Sequence, residues 1–450
     1  MKASVIIPTY NRSELLKYTL FSLITQDFPS KEYEVIVIDD GSSDNTKEVV
    51  DSFKSQLRLT YYFQEDKGFR VALARNEGIK RAKGDVMIFI DTGVVVGETF
   101  VREHYNAHFG NNTENSTGTR EKYAVIGYVY GFSYEYENGA QLPDYIDFNR
   151  PNQMITKLRE TNYFHDMREE IYSEFNDDLS RIPVAWFLFY TNNVSVEREE
   201  LLAVGCFDET FIRWGVEDVE CAYRLQKNNI KFKLSREACG VHYPHERHVG
   251  DNYVTGRMNM RKFYKKFQED VVELYTTARN FDFIHQYMSF SLYTERLGEV
   301  PLFSSILSEE AVKYLSEEIA PQKNIVFGCQ DGALLDICKS AAATEADINL
   351  FLKARDSHLN VDLHRGLGVR TFHHTRNFDI SLIAGAAIVL DKNFINNLVD
   401  EALRVSKAVY WLKVENSTDV TDYPYSEVRK FENGVSLCKI EPNPNIVHMP

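Results

Sequence analysis

Ser4-Val5-Ile6-Ile7-Pro8-Thr9-Tyr10-Asn11-Arg12, answered by Glu34-Val35-Ile36-Val37-Ile38-Asp39-Asp40-Gly41-Ser42, decides the fold. Each segment begins as a short, unbroken, β-branched apolar run and ends abruptly in polar residues. That is how a parallel strand buried on both faces reads. Between them, Leu15, Leu16, Tyr18, Leu20, Leu23 and Ile24 recur near a 3.6-residue period over residues 13–26, with Asn11 or Ser13 placed to cap the helix they predict. The alternation continues through an expected helix at 45–54, a strand at 59–63, a helix at 71–82 and the strand Val86-Met87-Ile88-Phe89-Ile90. Repeated βα units of this kind build a doubly wound α/β sheet.

In such sheets ligands bind outside the carboxyl ends of the strands. Here those ends are residues 8–12, 39–42 and 91–93, all polar and two of them acidic. Residues 110–120, rich in Asn, Thr and Gly, predict a loop, and 124–132 a strand. Residues 152–176 read as a polar helical insertion, serving either an acceptor or the scaffold. Aromatic-rich helical text fills 256–315, and after Pro321 a fresh alternation begins. Strands are expected at 324–327, 348–352, 381–390 and 409–414, with helices at 333–342 and 394–407. The reading is three parts: a catalytic-type α/β domain over 1–255, a helical connector over 256–320 and a second, smaller α/β domain over 321–450, expected to serve oligomerisation or docking of an acceptor.

A chain of 450 residues exceeds what one core usually serves, so more than one domain is expected. Hydrophobic content of 44% and charged content of 26% are those of a folded globular protein. A formal charge of -15 works against nucleic acid and anionic membrane as partners. The 6 cysteines show no CxxC spacing, and no apolar run approaches the ~20 residues of a membrane span, so reduced thiols and a cytoplasmic location are expected.

One stretch is a poor way to build a core. Phe207-Asp208-Glu209-Thr210-Phe211-Ile212-Arg213-Trp214-Gly215-Val216-Glu217-Asp218-Val219-Glu220 crowds carboxylates around a Trp-Gly pair. Acidic side chains are rarely buried unless paired, so the cluster is either a solvated loop or a site. Asp208 and Glu209 are placed to cap the turn, and Glu220 with Arg224 predicts an i,i+4 surface ion pair.

The motifs Val5 to Arg12, Val37-Ile38-Asp39-Asp40-Gly41-Ser42-Ser43-Asp44, Ala74-Arg75-Asn76-Glu77-Gly78 and Gly84-Asp85 before Ile88-Phe89-Ile90-Asp91 resemble, in order and spacing, a family 2 glycosyltransferase of the GT-A fold. Thr191-Asn192-Asn193-Val194-Ser195-Val196-Glu197-Arg198, Gly205-Cys206-Phe207-Asp208-Glu209 and Trp214-Gly215-Val216-Glu217-Asp218 resemble the galactosyltransferase-like segment of chondroitin-polymerase-type enzymes. The resemblance implies a nucleotide-sugar donor, most often a UDP-sugar, across the strand ends, with inversion at the transferred sugar. It places the donor against Pro8, Thr9, Tyr10, Arg12, Asp39, Asp40, Arg70, Arg75, Asn76 and Asp91. Asp40, with Asp39 as second candidate, suits uracil N3 as an acceptor. Arg70 and Arg75 offer planar paired donors to a diphosphate, although Arg75 and Asn76 also fit a helix-surface ion pair or cap.

Asp91-Thr92-Gly93 stands where the family carries its DxD motif, so Gly93 replaces the carboxylate that normally meets Mn or Mg. Asp91 remains for ribose or, through water, a metal. His242 stands where related enzymes place a metal-binding histidine, with His245 or His248 as substitutes. Asp218 is the expected catalytic base, because a carboxylate beside Glu217 gains a raised pKa from like charge and burial. Glu217 and Gly215 are then expected on the acceptor side, and Trp214 either stacks a sugar face or anchors the core.

The acceptor is read as a glycan, glycolipid, peptide or small molecule. A nucleotidyltransferase would need a glycine- and basic-rich loop after the first strand, which Thr9-Tyr10-Asn11-Arg12 is not. The alternative is a catalytically impaired sugar-nucleotide or glycan-binding protein on the same scaffold. In the second domain, the turn at residues 327–332 lacks a full GxGxxG, and His364, His373 and His374 are expected to be structural for want of carboxylate partners at ligand spacing.

Overall fold

The computed structural model describes residues 1–110, 120–132, 136–137, 140–161, 163–245, 249–277, 281–294, 301–384, 392–414 and 421–443. Most of the expected loop at 110–120, and His248, lie outside them. The chain divides into two compact units, Met1–Asn259 and Met260–Pro450, and the expected connector at 256–320 falls in the second apart from its first four residues.

The strands of the first unit are β1 Ala3–Thr9, β2 Tyr33–Asp39, β3 Leu59–Phe63, β4 Val86–Ile90, β5 Val94–Val96, β6 Tyr123–Tyr130, a small hairpin of β7 Tyr136–Glu137 and β8 Ala140–Gln141, then β9 Asn193–Glu197 and β10 Lys231–His242. They interleave with α1 Ser13–Ile24, α2 Thr46–Phe53, α3 Val71–Arg81, α4 Phe100–Phe109, α5 Pro151–Thr161, α6 Glu169–Glu174, α7 Arg198–Ala203, α8 Glu217–Lys227 and α9 Val249–Phe267. The main sheet runs β3-β2-β1-β4-β9-β6-β10-β5. Strands β3, β2, β1 and β4 are parallel, whereas β9 runs antiparallel between β4 and β6. The sheet is therefore mixed and doubly wound, the GT-A arrangement that the strand motifs imply.

Burial explains the strand text. Every residue of β2 and β4 is buried, as continuous apolar runs require when both faces are covered. On one face, α1 and α2 bury Leu16, Leu20, Leu23, Val50 and Phe53 against Val5, Ile7, Val35 and Val37. On the other, α3 approaches β1 so closely that a Cβ on Gly78 would sit 2.4 Å from Ile6 Cγ2, which is why glycine ends the Ala74 to Gly78 motif.

The second unit repeats the α/β logic with helices α10 Asp270–Thr277, α11 Asp282–Thr294, α12 Phe303–Ile306, α13 Glu309–Glu318, α14 Ala333–Cys338, α15 Ile348–Ser357 and α16 Lys392–Val405. Its strands are β11 Asn324–Phe327, β12 Ala342–Glu345, β13 Asp362–Arg365, β14 Phe378–Ile383, β15 Ser406–Val414, β16 Tyr425–Lys430 and β17 Val435–Ile440, in the order β13-β12-β11-β14-β15-β17-β16. Residues 348–352, expected as a strand, instead open α15. Asp347 caps it, its carboxylate accepting from Asn349 N at 2.8 Å and Leu350 N at 2.9 Å, and that local capping outweighs the apolar run. In the turn at residues 327–332, Gln330 N donates to Glu345 Oε2 at 2.6 Å, so a carboxylate of the chain occupies a donor that a nucleotide phosphate would need.

Candidate active site

The turns that follow β1 and β2 are stitched to each other. Asn11 N donates to Ser42 Oγ at 2.8 Å, Ser43 N donates to Asn11 Oδ1 at 2.7 Å, and Ser13 N donates to Asp44 Oδ2 at 2.9 Å. The cap expected from Asn11 or Ser13 is thus supplied from across the sheet. The N-cap position of α1 is Arg12, which makes no side-chain cap because a guanidinium has no acceptor, and the Asn11 amide oxygen accepts from Ser43 N on the neighbouring turn.

Asp39 and Asp40 are both buried and both fully engaged. Asp39 Oδ1 accepts from Gly41 N at 3.2 Å and Ser42 N at 2.7 Å, and its Oδ2 from Tyr61 OH at 2.7 Å. Asp40 Oδ1 accepts from Gln64 Nε2 at 2.6 Å and Arg70 Nη2 at 3.0 Å, and its Oδ2 from Arg70 N at 3.0 Å. Tyr10 is 46% exposed beside them and donates its hydroxyl to Asp66 Oδ2 at 2.9 Å. The Pro8 carbonyl accepts from Thr92 Oγ1 at 2.9 Å, and the Thr9 carbonyl from Asp40 N at 2.9 Å, which ties these residues to both neighbouring turns. Pro8, Thr9, Tyr10, Asp39, Asp40 and Arg70 therefore share one corner of the sheet.

Arg75 links that side to the acidic cluster. It is only 4% exposed, donates from Nη1 to Glu217 Oε1 at 2.8 Å, and brings Nη2 to 3.5 Å from Asp91 Oδ1. Burial opposes its charge, but Glu217, Asp91 and Asp218 more than compensate and raise its pKa. This is a buried bridge between two loops, not the helix-surface ion pair that its spacing also allowed. Asn76, expected beside the donor, is spent elsewhere. Its amide donates to Phe207 O at 2.8 Å and Glu209 Oε1 at 2.9 Å and accepts from Phe207 N at 3.0 Å, so it holds the loop that carries the cluster.

That loop enters α8 under strain. Gly215 has φ 96 and Val216 φ 78, and a β-branched residue in the left-handed region is a genuine outlier of the kind that collects at functional sites. The turn at Gly215 and Val216 sets the first turn of α8, and with it Glu217 and Asp218. Asp218 Oδ1 accepts from Val219 N at 2.8 Å, and its Oδ2 from Thr191 N at 3.3 Å and, more weakly, Thr191 Oγ1 at 3.5 Å. Burial first, and then the adjacent Glu217, push the Asp218 carboxyl up to about 7, against Arg75 and its backbone donors. Glu217 is buried, and its Oε2 has no hydrogen-bond partner.

Trp214 is 49% exposed, so it is no core anchor; its ring lies 3.5 Å from where a Cβ on Gly256 would stand, and Asn259 Nδ2 donates to Gly215 O at 2.8 Å. Asp208 does cap its turn, accepting from Thr210 N at 3.0 Å. Glu220 and Arg224 form the expected i,i+4 pair, but not at the surface: Glu220 is fully buried, and Arg224 also donates from Nη2 to Cys206 O at 2.7 Å. The pair clamps the loop from below.

The donor set for a divalent cation is thin. Asp91 offers a half-exposed carboxylate, and Gly93 adopts φ +99, where a side chain would be strained even though the nearest atom to a Cβ, Leu15 Cδ1, is 3.5 Å away. Tyr243 N donates to Gly93 O at 3.0 Å, which sets His242 beside the same turn. Among the described residues, no trio of ligating side chains includes Asp91 or His242. These residues alone do not complete a hard-cation site, which takes six or more oxygen ligands.

Several partners carry no signal of their own. Tyr61 and Gln64 reach Asp39 and Asp40 from β3 and its end, and Thr191 reaches Asp218 from the loop before β9. Only Thr191 lay within a motif.

Residues 4–172 match the model of Glycosyl transferase family 2, and residues 180–249 match a second model described as the N-terminal domain of galactosyltransferase. A validoxylamine A glucosyltransferase from Streptomyces hygroscopicus subsp. jinggangensis is 37% identical over 277 residues, 62% of this chain and 64% of that protein. An uncharacterized glycosyltransferase, YfnE, from Bacillus subtilis is 34% identical over 54% of this chain and 65% of its own length. A chondroitin synthase from Escherichia coli is 32% identical over 53% of this chain and 34% of its own length. The chain thus spans less than two thirds of each of these relatives. The two matched segments hold the strand-end turns, Arg75, Asp91 and the Glu217–Asp218 pair, so residues 4–172 are similar to glycosyl transferase family 2 and residues 180–249 to the N-terminal domain of galactosyltransferase.

Proposed function

We propose that this protein transfers a hexose or N-acetylhexosamine from a UDP-sugar to a glycan, glycolipid, peptide or small-molecule acceptor, with inversion and with Asp218 as general base. The observation that carries the reading is the Asp218 carboxyl, held at the strained start of α8 and pushed up to about 7. A base of that strength gives up its proton near neutrality and still takes one from a hydroxyl that is losing it to bond formation. As the acceptor oxygen attacks the anomeric carbon, its proton passes to Asp218, the bond from that carbon to the diphosphate breaks, and UDP leaves with the electron pair.

The remaining roles follow from position. Asp40 and the turn at Pro8, Thr9 and Tyr10 face the uracil, with Asp39 holding the turn. Arg75 pairs with Glu217 and works against the burial that raises the pKa of Asp218. Half-exposed Trp214 offers its face to an acceptor sugar or ring. A validoxylamine A glucosyltransferase and a chondroitin synthase among the relatives support a small-molecule or glycan acceptor.

Gly93 favours a second reading, a binding protein without turnover. Measuring UDP release across a panel of UDP-sugars, with and without sugar acceptors, separates the two. Acceptor-dependent release from one donor is expected; donor binding with no release from any donor would leave the binding protein standing.

A further inference from the structure

The second unit holds a ligand set that sugar transfer does not use. Strand β13 is the edge of its sheet, paired on one side with β12. Side chains two apart on a strand share a face, which puts Asp362 and His364 together. His364 Nε2 lies 3.1 Å from Asp362 Oδ1. His373, from the segment that leads into β14, brings Nδ1 to 3.9 Å from Asp362 Oδ2. The two imidazoles stand 5.3 Å apart at 79°. One ligand atom from each of the three residues lies within 4.8 Å of the others, and no other trio of His, Cys, Asp or Glu among the described residues does so. The carboxylate partner that the sequence reading found missing is Asp362, two residues before His364.

Two features separate this trio from an ordinary polar cluster. The first is how its nitrogens are used. His364 Nε2, the nitrogen that faces the carboxylate at 3.1 Å, is buried and not aligned as a hydrogen bond; on His373, whose side chain is only 9% exposed, Nδ1 faces the carboxylate and Nε2 is buried without a hydrogen-bond partner. Buried polar atoms are nearly always satisfied, so an unpaired one is unfavourable. The second is spacing. A tetrahedral ion with ligands at 2.0–2.2 Å sets its donor atoms roughly 3.4 Å apart. His364 Nε2 lies 3.1 Å from Asp362 Oδ1, near that value, and His373 Nδ1 lies 3.9 Å from the other carboxylate oxygen, within a small side-chain adjustment of it.

The surrounding charge is compatible. Arg404, the cation that acts on His373, is already paired with Glu401 through Nε at 2.8 Å.

We propose that Asp362, His364 and His373 form a divalent metal site, with zinc the preferred ion and water in the fourth position. Two imidazoles and one carboxylate suit zinc and its late first-row neighbours, whereas magnesium and calcium take oxygen ligands. The ion ties edge strand β13 to the segment entering β14. That segment is fixed at its other end by Glu273, which accepts from Leu367 N at 2.8 Å and Arg370 N at 2.9 Å.

The test uses the full chain, stripped with chelator and titrated with zinc against a competing indicator dye. Wild type is expected to bind one zinc with an affinity that Asp362→Asn and His373→Ala each lower by at least ~10-fold. Zinc is also expected to raise the thermal midpoint of wild type but not of Asp362→Asn. The Asp362 side chain is 62% exposed, so its amide variant keeps the fold and reads the ligand alone. Equal zinc binding by wild type and Asp362→Asn, or none by either, overturns the site.

Discussion

Two adjacent carboxylate pairs, Asp39–Asp40 and Glu217–Asp218, lie in one unit and are treated in opposite ways. The first pair is saturated. Its oxygens accept from Gly41 N, Ser42 N, Tyr61, Gln64 and twice from Arg70, so each negative charge is met by fixed donors. The second pair is underfed. Arg75 serves Glu217 through one nitrogen, Glu217 Oε2 goes without a donor, and Asp218 depends on Val219 N and Thr191. The result is a carboxyl pushed up to about 7. Like neighbours along the chain therefore stand in different settings, and the proposed roles follow them: the saturated pair on the donor side, the starved one for the proton.

The contrast breaks first at Asp218. Asp218→Asn keeps the shape and removes the proton acceptor, so kcat should fall by about 10²–10⁴-fold while affinity for the UDP-sugar stays within about twofold. Steady-state rates and donor titration calorimetry on the same variant check both halves. If turnover survives within tenfold, the base is another group and the starved pair is merely strained.

Asp40→Asn should act in the other direction and less strongly. It weakens the hold on Arg70 and Gln64 and removes an anionic acceptor from the pocket. The KM for the donor should rise by about tenfold, one charge-assisted hydrogen bond, with kcat nearly unchanged. A fall in kcat with donor KM intact would merge the two pairs into one functional group.

The residue types at both pairs are legible in the sequence, the first because an apolar strand ends in Asp-Asp-Gly and the second because carboxylates crowded around Trp-Gly make a poor core. Their saturation is not. Tyr61 and Gln64 meet Asp39 and Asp40 across 22 and 24 residues of chain, and Thr191 meets Asp218 across 27, distances at which spacing carries no information. Glu220 and Arg224 show the same limit: helical spacing gives the pair, but only the fold decides that it is buried. In the second unit the local text misleads twice. Capping by Asp347 turns an apolar run into α15, and pairing along β13 supplies His364 with Asp362, a partner only two residues away that strand geometry alone brings to the same face.

The finest test of the contrast is thermodynamic. A carboxyl whose pKa is near 3.8 in the unfolded chain and about 7 in the fold is protonated in the native state, and not in the unfolded one, throughout that interval. There the native state binds the extra proton, so stability falls as pH rises from 3.8 toward 7 and levels off above it; below 3.8 both states are protonated and the penalty is absent. Asp218→Asn cannot ionise and escapes the penalty. It should therefore unfold at a higher temperature than wild type above pH 7, by roughly 2–4 °C for each kcal/mol recovered, and the gap should shrink steadily toward pH 4. Catalysis needs the opposite charge state, so wild-type kcat should climb through the same pH range in which its stability declines. Thermal scans and pH–rate profiles on one preparation read both curves. If the two transitions fall at different pH values, the group that costs stability is not the group that takes the proton.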